Sequence, residues 1–372
     1  MAATFQFGIA EEYFLVDAET KSTAAPMSER FLSQARSATA GQAKGEVNQP
    51  RVEVATTPHV EIARAREELR HLRHTIGMIA AKHKLAILAA GTHPTATSVS
   101  QPDPAQERLG LAKGDAHLLG HRSMLCGLHV YVELPNPDDR VDIMVRMLPY
   151  LPLLVALATS SPFWQSRQTG LKGYRLAAQD ELPRTGVPEL FRTLGEYEAY
   201  VAALKRAGLI GDSSHIWWAV RPSLRRPTLE LRAPDCCTRV EDSIAVAALY
   251  RALVRRLTYN PWLHWDLTAV SRALVVENKW RAQRFGVAAT FVDEINGAVS
   301  VVEQLAHVIA EVRRDAEALG CLAEVEHCRT IAGSGSSADA QIAVFEAAKG
   351  KNRNERDALS AVTNWIASAT LQ

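Results

Sequence analysis

The order of elements along the sequence predicts an α+β fold. Strand-like segments alternate with helices through the first half, whereas the pattern from Arg239 to the C-terminus is mostly helical. Strands early and helices late argue against a doubly wound parallel sheet. No internal repeat, low-complexity tract or linker rich in Pro, Gly or Ser divides the 372 residues, so one domain spanning 1–372 is expected.

Phe5 to Val16 reads as a strand, and so does Arg51 to Thr56. Ile62 to Lys84 carries the spacing of an amphipathic helix, and Leu85 to Ala90 returns to strand. The polar stretch from Thr95 to Ser123 contains Pro102 and Pro104, has little periodicity, and reads as a long active-site loop. Leu128 to Glu133 is the next strand. A helix follows as far as Thr159; its apolar stretch, around Met147 to Ala158, contains Pro149 and Pro152 and is too short to span a bilayer. Turn signals at Pro162, Gly170, Gly173, Pro183 and Gly186 mark an irregular stretch, and GSGSS from Gly333 reads as a turn between helices.

Composition narrows the function. Lys and Arg total 42 against 41 Asp and Glu, so no overall field favours nucleic acid or an anionic membrane. The start, MAATFQFGIAEEYFLVD, lacks the basic and apolar regions of a secretory signal, and a cytoplasmic protein is expected. Cys126, Cys236, Cys237, Cys321 and Cys328 form no CxxC pair and read as ordinary thiols. A homo-oligomer is compatible with the sequence.

Successive side chains of a strand point to opposite faces, so each candidate strand can be divided into a buried and a chemical side. Glu12 shares a face with Ala10 and Phe14, while Glu11 points away with Ile9 and Tyr13. Glu53 opposes Val52 and Val54; His129, Tyr131 and Glu133 oppose Leu128, Val130 and Val132; Thr228, Glu230 and Arg232 oppose Leu229 and Leu231. A lone glutamate in such a position is usually a solvated sheet face. Four strands that each carry an acid or imidazole beside apolar neighbours suit instead an oxygen-rich site for Mg²⁺ or Mn²⁺ and nucleotide phosphates. No histidine pair has zinc-ligand spacing. Arg175, Arg184, Arg221, Arg232, Lys279, Arg281 and Arg284 supply cations for carboxylate or phosphate. Neither a Walker loop nor a GxGxxG motif occurs, so ATP would be held in another way.

These residues lie in blocks that resemble the bacterial carboxylate–amine ligase family related to glutamate–cysteine ligase: GIAEEYFLVD, VEVATTP, AAGTHP, CGLHVYV, ALATSSPFWQSRQTGLKGYR, WWAVRPSLRRPTLELRAPD, NKWRAQRFG and GSGSSADAQ. The resemblance covers nearly the whole chain. It implies a glutamine-synthetase-like catalytic domain, an antiparallel sheet curved into a funnel with helices outside. It also implies an ATP-dependent enzyme that activates a carboxylate, with glutamate the first candidate, as an acyl phosphate for attack by an amine. Carried over residue by residue, it makes Glu12, Glu53, His129 and Glu230 metal ligands, with Glu46, seven residues before Glu53, a further acidic candidate. Glu230 and Arg232 are the catalytic candidates. Arg232 looks like a phosphate contact, Arg175 like a contact to the acid substrate, and Arg281, Arg284 and Tyr131 like substrate or nucleotide contacts.

Two positions depart from the family pattern. Ala10 stands where an acid usually precedes Glu12 by two residues, and Glu11 cannot replace it from the opposite face. Tyr131 stands where a second histidine usually follows His129. These departures leave room for an amide hydrolase using the same metal face without ATP, and for a ligand-binding member of the fold with little turnover.

Overall fold

The computed structural model describes residues 4–21, 27–45, 49–96, 124–224, 226–295, 297–351 and 354–372. Its frame is a seven-stranded sheet in which every pairing is antiparallel. The strands are β1 (Phe7–Asp17), β2 (Ala43–Lys44), β3 (Arg51–Ala55), β4 (Leu85–Leu88), β5 (Leu128–Glu133), β6 (Val220–Pro222) and β7 (Thr228–Leu231). They lie in the order β6-β7-β5-β1-β3-β2, and β4 pairs with the second half of β1. The sheet is open, with β6 and β2 at its edges.

Register aligns the faces anticipated from strand alternation. Glu12 lies opposite Glu53, Ala10 opposite His129 and Tyr131 opposite Glu230. Residues directly opposite in an antiparallel pair share a face, so these polar groups stand on one side of the sheet. The other side carries Ile9, Val52, Val54, Leu128, Val130, Val132, Leu229 and Leu231, all buried.

That apolar side packs on helices. α1 (Glu29–Ala38) and α2 (Ile62–Lys82) fall within the first half; α3 (Arg140–Arg146), α4 (Leu151–Leu157), α5 (Tyr174–Gln179) and α6 (Leu194–Arg206) follow β5. α7 (Val240–Tyr259), α8 (Ala269–Phe285), α9 (Val301–Ala318), α10 (Leu322–Ser334), α11 (Ser337–Lys349) and α12 (Glu355–Thr370) make the late part mostly helical, as expected. α7 is buried on every side from Ile244 to Val254 and packs against β5, α2, α9 and α10. Apart from Tyr250 and from Arg251, whose guanidinium donates to the carbonyls of Phe5 and Thr4, this stretch is apolar and has no face to show to water.

Glu11 is the exception on the apolar side. Arg73 of α2 donates to both of its carboxylate oxygens, at 2.8 and 2.7 Å, and the Tyr13 hydroxyl donates at 2.5 Å. Arg73 also donates to the carbonyls of Cys237, Thr238 and Thr370, tying the sheet to the end of α12. A buried charge must be paired and hydrogen-bonded, and this pair meets that condition.

The helix expected after β5 is split. A 3₁₀ turn over Leu148–Tyr150 separates α3 from α4, because Pro149 and Pro152 cannot donate backbone hydrogen bonds. The turn expected at GSGSS narrows to Gly335 and Ser336 between α10 and α11, where Ser336 caps α11 reciprocally with Asp339. Most of the expected long loop, residues 97–123, lies outside the described residues. Among the described residues no helix is long and apolar enough to cross a membrane.

Candidate active site

The polar face of the sheet gathers two groups of charge. In the first, Glu12 and Glu53 stand opposite each other on β1 and β3. Glu12 accepts from the Gly127 N–H at 2.8 Å and pairs with Arg51 at 3.4 Å. Burial pushes its carboxyl up, but Arg51, His129, the Gly127 N–H and Arg175 together outweigh burial and hold it below the usual carboxylate range. Glu53 goes the other way. Burial and the neighbouring Glu12 raise it, and Lys44, Arg51 and Arg232 compensate only in part.

In the second group Glu230 is enclosed by cations. Its Oε2 accepts from Arg221 Nε at 2.8 Å, and its Oε1 accepts from Arg232 and, at 3.1 Å, from the Tyr131 hydroxyl. Burial opposes ionisation here too, but Arg232, Arg221 and His129 pull the carboxyl down to about 2. One carboxylate thus faces two guanidinium groups, and the cluster keeps positive charge for an anion. Arg232 Nε is buried with no hydrogen-bond partner among the described residues.

His129 lies beside these groups, its Nδ1 4.0 Å from Glu230 Oε1. Burial and the charge of Arg232 pull the imidazole down to about 3, so it is neutral at physiological pH. Burial also holds the Tyr131 phenol far above its ordinary range, aided by Glu230; it therefore acts as a hydrogen-bond donor.

Arg175 lies behind this face, buried, its guanidinium donating to Asp235, Gln179 and three carbonyls. Other sequence candidates fall elsewhere. Arg281 and Arg284 lie on α8 and donate to the carbonyls of Thr290 and Gly170. Glu46 lies outside the described residues. Arg51 was not among the candidates, although its place two residues before Glu53 puts it on the same face. Arg221 was noted only as a nearby cation; its contact with Glu230 follows from the β6–β7 register.

A divalent cation fits this face in one form. Among the described residues no three His, Cys, Asp or Glu side chains gather closely enough to hold an ion, so the four-residue ligand set is not assembled here. Glu230 is occupied by arginines and Tyr131. Glu12 and Glu53 together carry negative charge that their neighbours leave partly uncompensated. Mg²⁺ typically binds through one or two carboxylates plus water and substrate phosphate, and this pair suits that mode.

Comparison with known proteins places the chain. The sequence profile of Glutamate-cysteine ligase family 2 (GCS2) matches residues 6–360. The chain belongs to this family. It is 53% identical over 368 residues to a Bradyrhizobium sp. (strain ORS 278) protein named "Putative glutamate--cysteine ligase 2", covering 99% of this chain and 88% of that one. A Rhodospirillum rubrum protein of the same name is 40% identical over 380 residues, covering 99% and 96%. The fold is similar to that of glutamate–cysteine ligase from Francisella tularensis in complex with AMP, with a TM-score of 0.67, 12% identity, and 99% and 89% of the two chains covered. It is also similar to a bifunctional glutathione synthetase from Pasteurella multocida, with a TM-score of 0.64, 14% identity, and 98% and 52% covered. For this family member the polar sheet face is therefore the candidate active site.

Proposed function

We propose that the protein is an ATP-dependent carboxylate–amine ligase of the glutamate–cysteine ligase type, acting in the cytoplasm on a small acid, with glutamate the first candidate, and a small amine. The observation that carries this reading is the adjacency of two unlike charge clusters. Arg221 and Arg232 around Glu230 offer cations for a phosphoryl group, while Glu12 and Glu53 offer carboxylates on the same sheet face. Family membership and the AMP-bound fold relative support it.

A carboxylate is a poor electrophile. Its oxygen attacks the γ-phosphorus of ATP and ADP leaves; the amine then attacks the acyl carbon of the resulting acyl phosphate, and phosphate leaves with the bond broken at carbon. Phosphoryl transfer depends mainly on positioning and electrostatic stabilisation. In this reading Glu12 and Glu53 hold Mg²⁺ or Mn²⁺, which when bound neutralises charge on the nucleotide phosphates. Arg232, with its unpartnered Nε, stabilises the transferring phosphoryl group, and Glu230 fixes both arginines. Neutral His129 and Tyr131 line the substrate side as hydrogen-bonding groups. The polar face would be the inner wall of the funnel implied by the family resemblance.

Phosphate release from ATP, measured over a panel of acids and amines together with product formation, tests the assignment. Release coupled to amide formation is expected, and Arg232→Lys should lower turnover roughly a hundredfold while changing nucleotide affinity much less. Amide cleavage without nucleotide would point to a hydrolase, and ligand binding without turnover to a sensor; either would overturn it.

A further inference from the structure

Three of the sequence blocks that do not supply the face itself, AAGTHP, ALATSSPFWQSRQTGLKGYR and GSGSSADAQ, meet at or behind Asp235. The Asp235 carboxylate, 3% exposed, accepts from the Ser160 N–H at 2.9 Å, the Ser161 hydroxyl at 2.6 Å and Arg175 Nε at 3.1 Å. Gly91 of AAGTHP lies directly against it, where a Cβ would come within 2.6 Å of Asp235 Cγ. Gly91 N–H donates to the Ser160 hydroxyl, and Gln341 of GSGSSADAQ donates to the Ser160 carbonyl at 2.9 Å. Ser336 of the same late block hydrogen-bonds Thr159 at 2.7 Å.

What this cluster holds is Arg175. With Nε fixed by Asp235, Arg175 Nη2 donates to the carbonyls of Arg232, Ala233 and Pro234 at 2.9, 3.2 and 2.6 Å. It therefore fixes the backbone of the residue whose side chain meets Glu230. The same Nη2 fills the space beside Gly127, where a Cβ would lie 3.0 Å from it and 3.3 Å from His129 Nε2. Gly127 pairs with Asp235 across an antiparallel bridge and gives its N–H to Glu12. One guanidinium thus lies against the supports of Arg232 and Glu12 at once.

We infer that Asp235 and Arg175 form a bracket that positions Arg232 and the Gly127–Glu12 contact, and that Arg175 acts on the reaction through these residues without touching the acid substrate. This deepens the ligase reading and rests on it. Only a planar group with several N–H donors reaches a carboxylate, an amide oxygen and backbone carbonyls together; a lysine ammonium is a single point on a flexible stem. Arg175 is 3% exposed, and its Nε–H, one Nη1–H and both Nη2–H groups are already given to Asp235, Gln179 and the 232–234 carbonyls, which leaves a single Nη1–H for any other acceptor.

The test uses the full chain and two independent readouts. The first is the arginine Nε–Hε NMR spectrum, with the Arg232 peak assigned by its absence in Arg232→Lys. In Arg175→Lys this peak should shift or vanish. The second is kinetic: turnover should fall roughly thirtyfold or more with the KM for ATP within about threefold, and the Arg175→Lys/Arg232→Lys double variant should be within about threefold of Arg232→Lys alone, because the two act as a unit. Gly91→Ala, which displaces Asp235 without removing any group of the bracket, and the milder Ser161→Ala should move the same peak, so a poorly folding Arg175→Lys does not end the experiment. An Arg232 peak unmoved in these variants, or losses that multiply in the double variant, would overturn the inference. A wild-type protein without ATP-dependent turnover would overturn the ligase reading instead, while the NMR arm still decides the bracket.

Discussion

Glu12 and Glu53 face each other across β1 and β3, yet their surroundings pull them in opposite directions: Glu12 is held below the usual carboxylate range and Glu53 is raised above it. Ionised Glu53 therefore opposes folding in the absence of a bound cation. Glu53→Gln removes this repulsion, and the metal-free protein should melt slightly higher. Its affinity for Mg²⁺-nucleotide should fall. Differential scanning calorimetry and titration calorimetry read the two effects; a lower melting temperature with unchanged nucleotide affinity would remove Glu53 from the ion site.

Ala10 lies between Ala55 and His129 in register, on the same face as Glu12. Ala10→Glu would place a third carboxylate beside a pair that already repels. The metal-free variant should melt lower and bind Mg²⁺ more tightly, and turnover on the natural substrate should fall because a larger side chain must be accommodated at a buried position. A gain in both metal binding and glutamate-dependent turnover would show that a ligand, and not space, is what this position lacks.

The Glu11–Arg73 pair sits wholly on the apolar side of the sheet. Glu11→Gln keeps the shape but leaves Arg73 buried without its counter-charge, a change that costs about 3–5 kcal/mol. Urea unfolding should show a midpoint lowered accordingly, and residual folded protein should bind nucleotide normally. A loss below about 1 kcal/mol would mean that water or the carbonyls around Arg73 carry the charge by themselves.

His93 gives the acid limb of stability. Its Nδ1 accepts from the N–H groups of Thr95 and Ala96, and its Nε2 meets the Lys21 carbonyl, so the fold requires the neutral ring. Burial draws its pKa down to about 4, opposed only by the Lys21 carbonyl. Between that value and the ordinary 6.5 the unfolded chain binds the extra proton, so this contribution is complete above 6.5 and is lost as pH falls towards 4. The loss is on the order of 3 kcal/mol. Denaturation curves across this range should lose that slope in His93→Gln; an unchanged slope would place the acid sensitivity in another group.

Strand alternation alone separated Glu12, Glu53, His129, Tyr131 and Glu230 from the apolar positions between them, because the side-chain period of a strand is local and every strand obeys it. The late helices were legible for the same kind of reason, and so was the proline break between α3 and α4. The destinations of the arginines were not legible. Arg175 finds Asp235 sixty residues away, Arg73 finds Glu11 at a separation of 62, and Arg221 finds Glu230 across a hairpin. A guanidinium on a long stem takes whichever acceptors packing brings within reach. The sequence by itself thus determined which residues of each strand share a face, while only the tertiary structure decided that these faces align, that Arg232 meets Glu230 there and that Arg175 stands behind it, because those choices depend on how distant segments pack.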